Sequence, residues 1–378
     1  MALLLLLQRT SSVFGRRVSL SCRTAAPLHS GACEGSAVDA GRACLLDEAA
    51  RSWLEAERVD QAERMAKAEE GGVASVAADT DDPRLTETTR VVFRPRRWTK
   101  SARRLAASSR HYLGRALALA HNETQQHYQQ LWAHLERRIG PQGAAQLFGQ
   151  CVESVESQVP LLVRGWNAHR ADNEGANPEE VAGFLHGLTS AWSVRDAAAA
   201  LALAIPLCVR DVSDHRLVGS VLGQCAAGRD KRDGDALITT FLLSEWMPRF
   251  VSPNVGDSIH LDGITQLAGS AIGTHAREWE DEDIGWSVRY LQMDFLELWG
   301  AEESPIGRTR DPGRTAEFTG GLIFETVLAL QRVTDGRLVD HLINSMTEDW
   351  HEREHEKLIG ILHIRMKPYA SWLTRLLG

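Results

Sequence analysis

Tyrosine is scarce, at 4 residues, and runs that alternate apolar with polar side chains or mass β-branched and aromatic ones are few. Those are the signals of strands, so their scarcity argues against a β-rich fold. Long apolar runs are also missing. The nearest is Ala197 to Val209, which Pro206 interrupts; it falls short of the roughly 20 residues that cross a bilayer. No two of the six cysteines (Cys22, Cys33, Cys44, Cys151, Cys208, Cys225) form a C-x-x-C pair, which leaves neither a zinc ribbon nor a redox motif. The last three sit in apolar helical stretches and are expected as buried thiols. No G-x-x-x-x-G-K, no G-x-G-x-x-G after a strand and no G-x-S-x-G occurs, so nucleotide-driven and serine-hydrolase chemistry have no support.

What is present favours helix. In 378 residues, 43% are hydrophobic and 24% charged, with Ala, Leu, Arg and Glu dominant. Tryptophan is in surplus at 11 residues. One reading makes these side chains apolar wedges between packed helices; the other uses them for base stacking or as interface anchors.

Acid is absent from residues 1–33, whereas Arg9, Arg16, Arg17 and Arg23 lie there among serines and threonines. Arg-rich, Ser-rich and acid-free is the composition of an organelle transit peptide. A secretory signal is the rival, carried by the apolar block Leu3 to Leu7, but no basic residue precedes that block and Arg9 follows it closely. The expected address is the mitochondrial matrix, with the plastid as alternative. Removing residues 1–33 takes the net charge from −8 to about −12.

Charge then divides the rest. Residues 34–150 carry 17 basic and 16 acidic side chains, whereas residues 151–378 carry 21 and 34. Residues 34–100 read as a polar helix (Leu46 to Glu70), a flexible linker (Gly71 to Thr89) and a basic arm, and 101–378 as the helical domain. Between Arg90 and Arg115 lie nine basic residues and no acid, with Trp98 and Tyr112 interleaved. Such a block can neutralise phosphates, with steep salt dependence. It can equally lie on an acidic protein surface, this chain's own C-terminal part included. The candidate contact residues are Arg94, Arg96, Arg97, Trp98, Lys100, Arg103 and Arg104.

From about Lys100 the pattern is helical to the end. One helix is expected over Ser101 to Arg138, broken near His121–Asn122. Beyond Pro178 a weak repeat emerges: Gly183/Gly187 and Gly219/Gly223 each precede a charged turn ending in an Asp (Asp196, Asp233) placed to cap the next helix. Gly269/Gly273 with Asp283, and Leu322 to Leu342 with a turn at Thr334–Gly336, extend the series. Small residues at i and i+4 let helix backbones approach. The expectation is all-α: antiparallel helix-pair repeats, α-solenoid-like, after a disordered presequence and arm. Helix pairs of this length behind a presequence resemble the octotricopeptide, heptatricopeptide and FASTK-like RNA-binding proteins of organelles. The resemblance covers about Pro178 to Pro368 and rests on periodicity and address. It implies a non-enzymatic factor of organellar gene expression, RNA-binding or scaffolding within a mitoribosome or RNA-processing complex, with no cofactor. Its partners would be organellar RNA and protein subunits of a ribonucleoprotein complex. No RAP-type terminal domain is evident, and the acidic balance of this region shifts the expected RNA contact to the basic segment.

Two other functions stay in view. One is a structural or assembly subunit of a respiratory or ATP synthase complex. The other is a metal-dependent hydrolase. HEREH (His351 to His355) fits H-E-x-x-H, which on a helix sets two imidazoles one turn apart with Glu352 as general base. No acid follows Glu356, and His363 is eight residues beyond His355, so a third zinc ligand is not supplied nearby. The two E-x-x-H pairs, Glu348/His351 and Glu352/His355, share one helix and cannot face a single di-iron centre. His127 and His134, seven apart, read as core or surface histidines.

Overall fold

In the computed structural model the described residues are 34–70, 98–119, 125–171, 177–209, 211–246, 261–300, 312–348 and 350–377. Among them there is no strand; every element is helical, as expected. The helices are α1 (Glu34–Glu70), α2 (Lys100–Ala118), α3 (Gln125–Gly149), α4 (Val155–Ala171), α5 (Pro178–Thr189), α6 (Val194–Cys208), α7 (His215–Ala227) and α8 (Lys231–Thr240). A π-helical turn, Phe241–Trp246, continues α8. Then follow α9 (Leu261–His275), α10 (Asp281–Gly300), α11 (Pro312–Ala329), α12 (Gly336–Met346) and α13 (Glu352–Leu377). Among the described residues no helix is long and apolar enough to cross a membrane.

Local chemistry sets the boundaries. Pro178 opens α5 behind Asn177, whose side chain accepts from Glu180 N–H at 2.8 Å while Glu180 returns the bond to Asn177 N–H. In α3 the chain turns at Gly140, whose φ of +74° suits a residue without a Cβ, and Pro141 restarts the helix. The repeat's aspartates are not all caps. Asp335 does cap α12, accepting from Leu338 N–H at 3.2 Å. Asp196 and Asp233 instead stand three residues inside their helices, and Ser193 and Asp230 are the caps. Asp283 lies in the first turn of α10 and pairs with Lys231.

From α3 onward each helix packs on the helix two further along the chain. One row runs α3, α5, α7, α9, α11, α13; the other runs α4, α6, α8, α10, α12. Consecutive helices α5/α6, α7/α8, α9/α10 and α11/α12 also touch, so each chain turn folds one row's helix onto the other row. Within a row the helices run the same way. Gly269 and Gly273 of α9 meet Glu325–Thr326 and Thr326–Ala329 of α11, and Lys231 and Asp235 of α8 meet Asp283 and Ser287 of α10. The glycines permit this approach: a Cβ on Gly269 would stand 2.5 Å from Glu325 Cβ and 2.8 Å from Thr326 N. Gly183 is different, with nothing within 4 Å of its Cβ position.

The buried tryptophans are wedges between helices. Trp132 of α3 and Trp166 of α4 both meet Phe184 of α5, the latter stacked at 4.2 Å, and Trp192 Nε1–H donates to Gly149 O at 2.9 Å. Polar ties run along a row too. Glu325, buried in α11, takes two hydrogen bonds from the Arg216 guanidinium of α7 at 2.7 and 2.8 Å.

The polar helix expected from Leu46 begins at Glu34 and is not a free arm. Leu46, Ala49, Ala50, Trp53 and Ala56 are buried against α2 and α3. Helix α1 therefore packs with helices that lie beyond residue 100 in the chain. The presequence (1–33), most of the linker and basic arm (71–97) and the expected break at residues 121–122 lie outside the described residues.

Candidate functional site

Helix α2 buries one side and carries basic side chains on the other. Helix geometry places successive residues about 100° apart. Ala102, Ala106, Ser109, Leu113 and Ala116 therefore fall on one side, where all are buried against α1. Ser109 Oγ–H seals that contact by donating to Ala49 O at 2.6 Å. The opposite side exposes Lys100, Arg103, Arg104, Arg110, His111 and Arg115, with Ala107 and Gly114 between them. No acid occurs anywhere in α2. Lys100, Arg104 and Arg115 form no ion pair with any described residue.

This charge arrangement opposes a local rule. Cations near a helix N-terminus face the positive end of its dipole, at about 0.3–1 kcal/mol each. The first turn of α2 has no acid, and its N-cap Thr99 makes no side-chain capping bond. A carboxylate from another helix takes over that role. Asp60 of α1, nearly fully buried, accepts from Thr99 N–H at 2.9 Å and pairs with Arg64 at 3.0 Å. Nothing in the sequence near Thr99 signals this; the cap arrives from 39 residues upstream.

The candidate contact residues separate into three groups. Arg94, Arg96 and Arg97 lie outside the described residues. Lys100, Arg103 and Arg104 stand together on the exposed face. Trp98 does not join them: it is 5% exposed, and its ring meets the Trp53 ring edge-to-face at 5.4 Å. The Trp98 side chain is thus covered by packing, apart from the exposed cations. Tyr112 is half-buried beside His111.

At HEREH the helix begins after the first histidine. His351 is exposed and non-helical, and its carbonyl accepts from Glu354 N–H and His355 N–H, so it is the N-cap of α13. The motif's two imidazoles thus do not share one helical face, contrary to the pattern that H-E-x-x-H chemistry needs. Among the described residues no three His, Cys, Asp or Glu side chains are grouped to hold a metal.

One polar cluster went unnoticed in the sequence. Asp235 of α8 accepts a hydrogen bond from Ser287 Oγ–H of α10, with both carboxylate oxygens at 2.9 Å, and lies 3.8 Å from buried His275 of α9. Burial, with Asp283 nearby, pushes the Asp235 carboxyl up to about 6. Burial holds the His275 imidazole below its ordinary value. The separation is too long for a hydrogen bond, and the imidazole is the neutral form, so these two are neighbours and not an ion pair. Ser287 donates to the carboxylate and not to the imidazole, so the trio lacks the nucleophile–base contact of a hydrolytic triad. His127 is buried, and burial with Arg42 nearby lowers its basicity; His134 bonds Asp47 at 2.9 Å. Burial pushes the thiols of Cys151 and Cys225 up to about 12, and that of Cys208 up as well. Cys225 is fully enclosed, whereas Cys151 and Cys208 keep some exposure.

Comparison with protein-family models, with curated proteins and with solved structures returned no match.

Proposed function

We propose that this chain is a non-enzymatic factor of organellar gene expression, which binds RNA or scaffolds a ribonucleoprotein assembly such as a mitoribosome or processing complex. The observation that carries the reading is the acid-free exposed face of α2, with Lys100, Arg103, Arg104, Arg110 and Arg115 on one side of a helix anchored through the other. Clustering like charges destabilises a helix in isolation. Phosphates arriving on that face would relieve the repulsion. The two rows support the second half of the reading, an α-solenoid-like array of helix pairs. Each pair buries its apolar faces mainly on the next, which favours an extended scaffold over an enclosed catalytic pocket. The mitochondrial matrix, with the plastid as alternative, remains the proposed address on the composition of residues 1–33.

Ultraviolet crosslinking in intact organelles, followed by denaturing capture of the tagged chain and sequencing of attached RNA, tests the reading. Specific transcripts should be enriched, and Lys100→Glu/Arg103→Glu/Arg104→Glu should lower the yield while leaving the helical circular dichroism unchanged. With about five phosphate contacts, the single-strand salt slope should be near −3.5. No RNA above background would sink the RNA-binding form. Co-purification with respiratory or ATP synthase subunits, without ribonucleoprotein components, would replace the proposal with an assembly subunit.

A further inference from the structure

Trp286 on α10 is 53% accessible, and Tyr290 and Met293 on the same helix are 60% and 56% accessible. Positions i, i+4 and i+7 form a single stripe about 10.5 Å long. The other side of α10 is already occupied, because Ile284, Val288, Leu291 and Phe295 are buried. The stripe is therefore surplus to the core, and three large side chains together on a surface mark an interaction site more often than chance exposure.

Its surroundings are negative. Glu282 precedes Trp286 by one turn, while Asp294 and Glu297 flank Met293 on the far side, and none of the three has an ion-pair partner among the described residues. Three nearby cations are already engaged: Arg289 with Glu348 at 3.0 Å, Lys231 with Asp283, and Arg332 with Asp281 at 2.7 Å. Beside the stripe, between α10 and α12, runs a groove lined by Glu282, Gly285, Trp286, Arg289, His341 and Ser345. Gly285 deepens it, since a Cβ there would stand 2.8 Å from His341 Nε2.

We propose that the Trp286–Tyr290–Met293 stripe, with this groove, is the docking site for a basic amphipathic helix of a protein partner. A helix laid along α10 presents its own apolar ridge at the same i, i+4, i+7 spacing. Its Lys and Arg residues meet Glu282, Asp294 and Glu297 and lie over the faces of Trp286 and Tyr290. Met293 adapts to whichever apolar side chain faces it. Nucleic acid fits poorly, because the flanking carboxylates repel phosphate. A second copy of α2 also fits poorly: its basic face offers only Ala107, Gly114 and Ala118 as apolar partners. The inference is independent of the RNA reading, which concerns α1 and α2 at the other end of the rows.

The test uses the purified full chain and a fluorescein-labelled helical peptide of about five turns, with leucines at i, i+3, i+4 and i+7 and Lys or Arg elsewhere. A matched peptide carries Glu in place of every Lys and Arg. Anisotropy should show the basic peptide binding and the acidic one not. Trp286→Ala/Tyr290→Ala should weaken the basic peptide by about tenfold or more, as should Glu282→Lys/Glu297→Lys, with unchanged circular dichroism because every altered side chain is on the surface. Absence of binding, equal binding to wild type and Trp286→Ala/Tyr290→Ala, or equal binding of the two peptides would overturn the proposal. So would a dimer of the free chain that Trp286→Ala/Tyr290→Ala dissolves, which would seat a second copy on the stripe.

Discussion

Replacing Gly269 by alanine isolates the packing that joins α9 to α11. The added methyl would stand 2.5 Å from Glu325 Cβ and 2.8 Å from Thr326 N, and neither is the free end of a flexible side chain. Ordinary carbon contacts are about 3.5–4.0 Å, so the two helices must part by about 1 Å. Overpacking of this kind costs typically about 1–3 kcal/mol. Against it stands the helix-propensity gain of Ala over Gly, at most about 1 kcal/mol in a helix interior. The net expectation is a loss of about 1–2 kcal/mol, and α11 moves with the Glu325 carboxylate that Arg216 holds. Gly183→Ala supplies the opposite case. It has the same place in a G-x-x-x-G pair, yet its Cβ position is open and it is exposed, so only the propensity term acts. Gly183→Ala should stabilise by about 0.5–1 kcal/mol. Urea unfolding followed by circular dichroism separates the two through the midpoint, provided the slope is unchanged. If both variants shift stability in the same direction, the reasoning that assigns glycine's role from the neighbouring helix is wrong.

Three further outcomes follow from the same contacts. Arg216→Ala leaves the buried Glu325 carboxylate without its partner and should cost about 2–3 kcal/mol, below the range for a fully enclosed pair because Arg216 is half-exposed; Arg216→Ala/Glu325→Gln should recover part of it in the same unfolding assay. Asp235→Asn should raise stability at pH 7.5 by about 2 kcal/mol or less, because a carboxyl held at about 6 in the fold and near 4 unfolded disfavours folding once ionised. That advantage should shrink as pH falls from 6 towards 4, and a difference in melting temperature that stays constant with pH would refute the assignment. Alkylation mapped residue by residue should label exposed Cys44 first, half-buried Cys151 and Cys208 later and buried Cys225 last, and equal rates at Cys44 and Cys225 would contradict the enclosure of Cys225.

Much of the fold was legible because it rests on neighbours in the chain. Asn177 with Pro178, Gly140 with Pro141 and Asp335 before α12 are local devices, and each acts within a few residues. The turn composition placed Asp196 and Asp233 at the right ends of the right helices, but the cap fell to Ser193 and Asp230, because a cap is chosen by which residue leaves helical geometry. In the same way HEREH reads as one helical face in sequence, and the helix start at Glu352 leaves His351 outside it.

The basic block shows where local reading ends. Composition alone gave an all-helical chain and the run of cations without acid from Arg90 to Arg115, since both depend only on which residues occur and in what order. Which of those residues face solvent was decided by α1: it buries one side of α2, encloses Trp98 against Trp53, and brings Asp60 to Thr99. The same holds for Trp286, which the sequence cannot distinguish from the tryptophans that fill the interior. Exposure is a property of what another segment covers, and that depends on contacts between residues far apart in the chain.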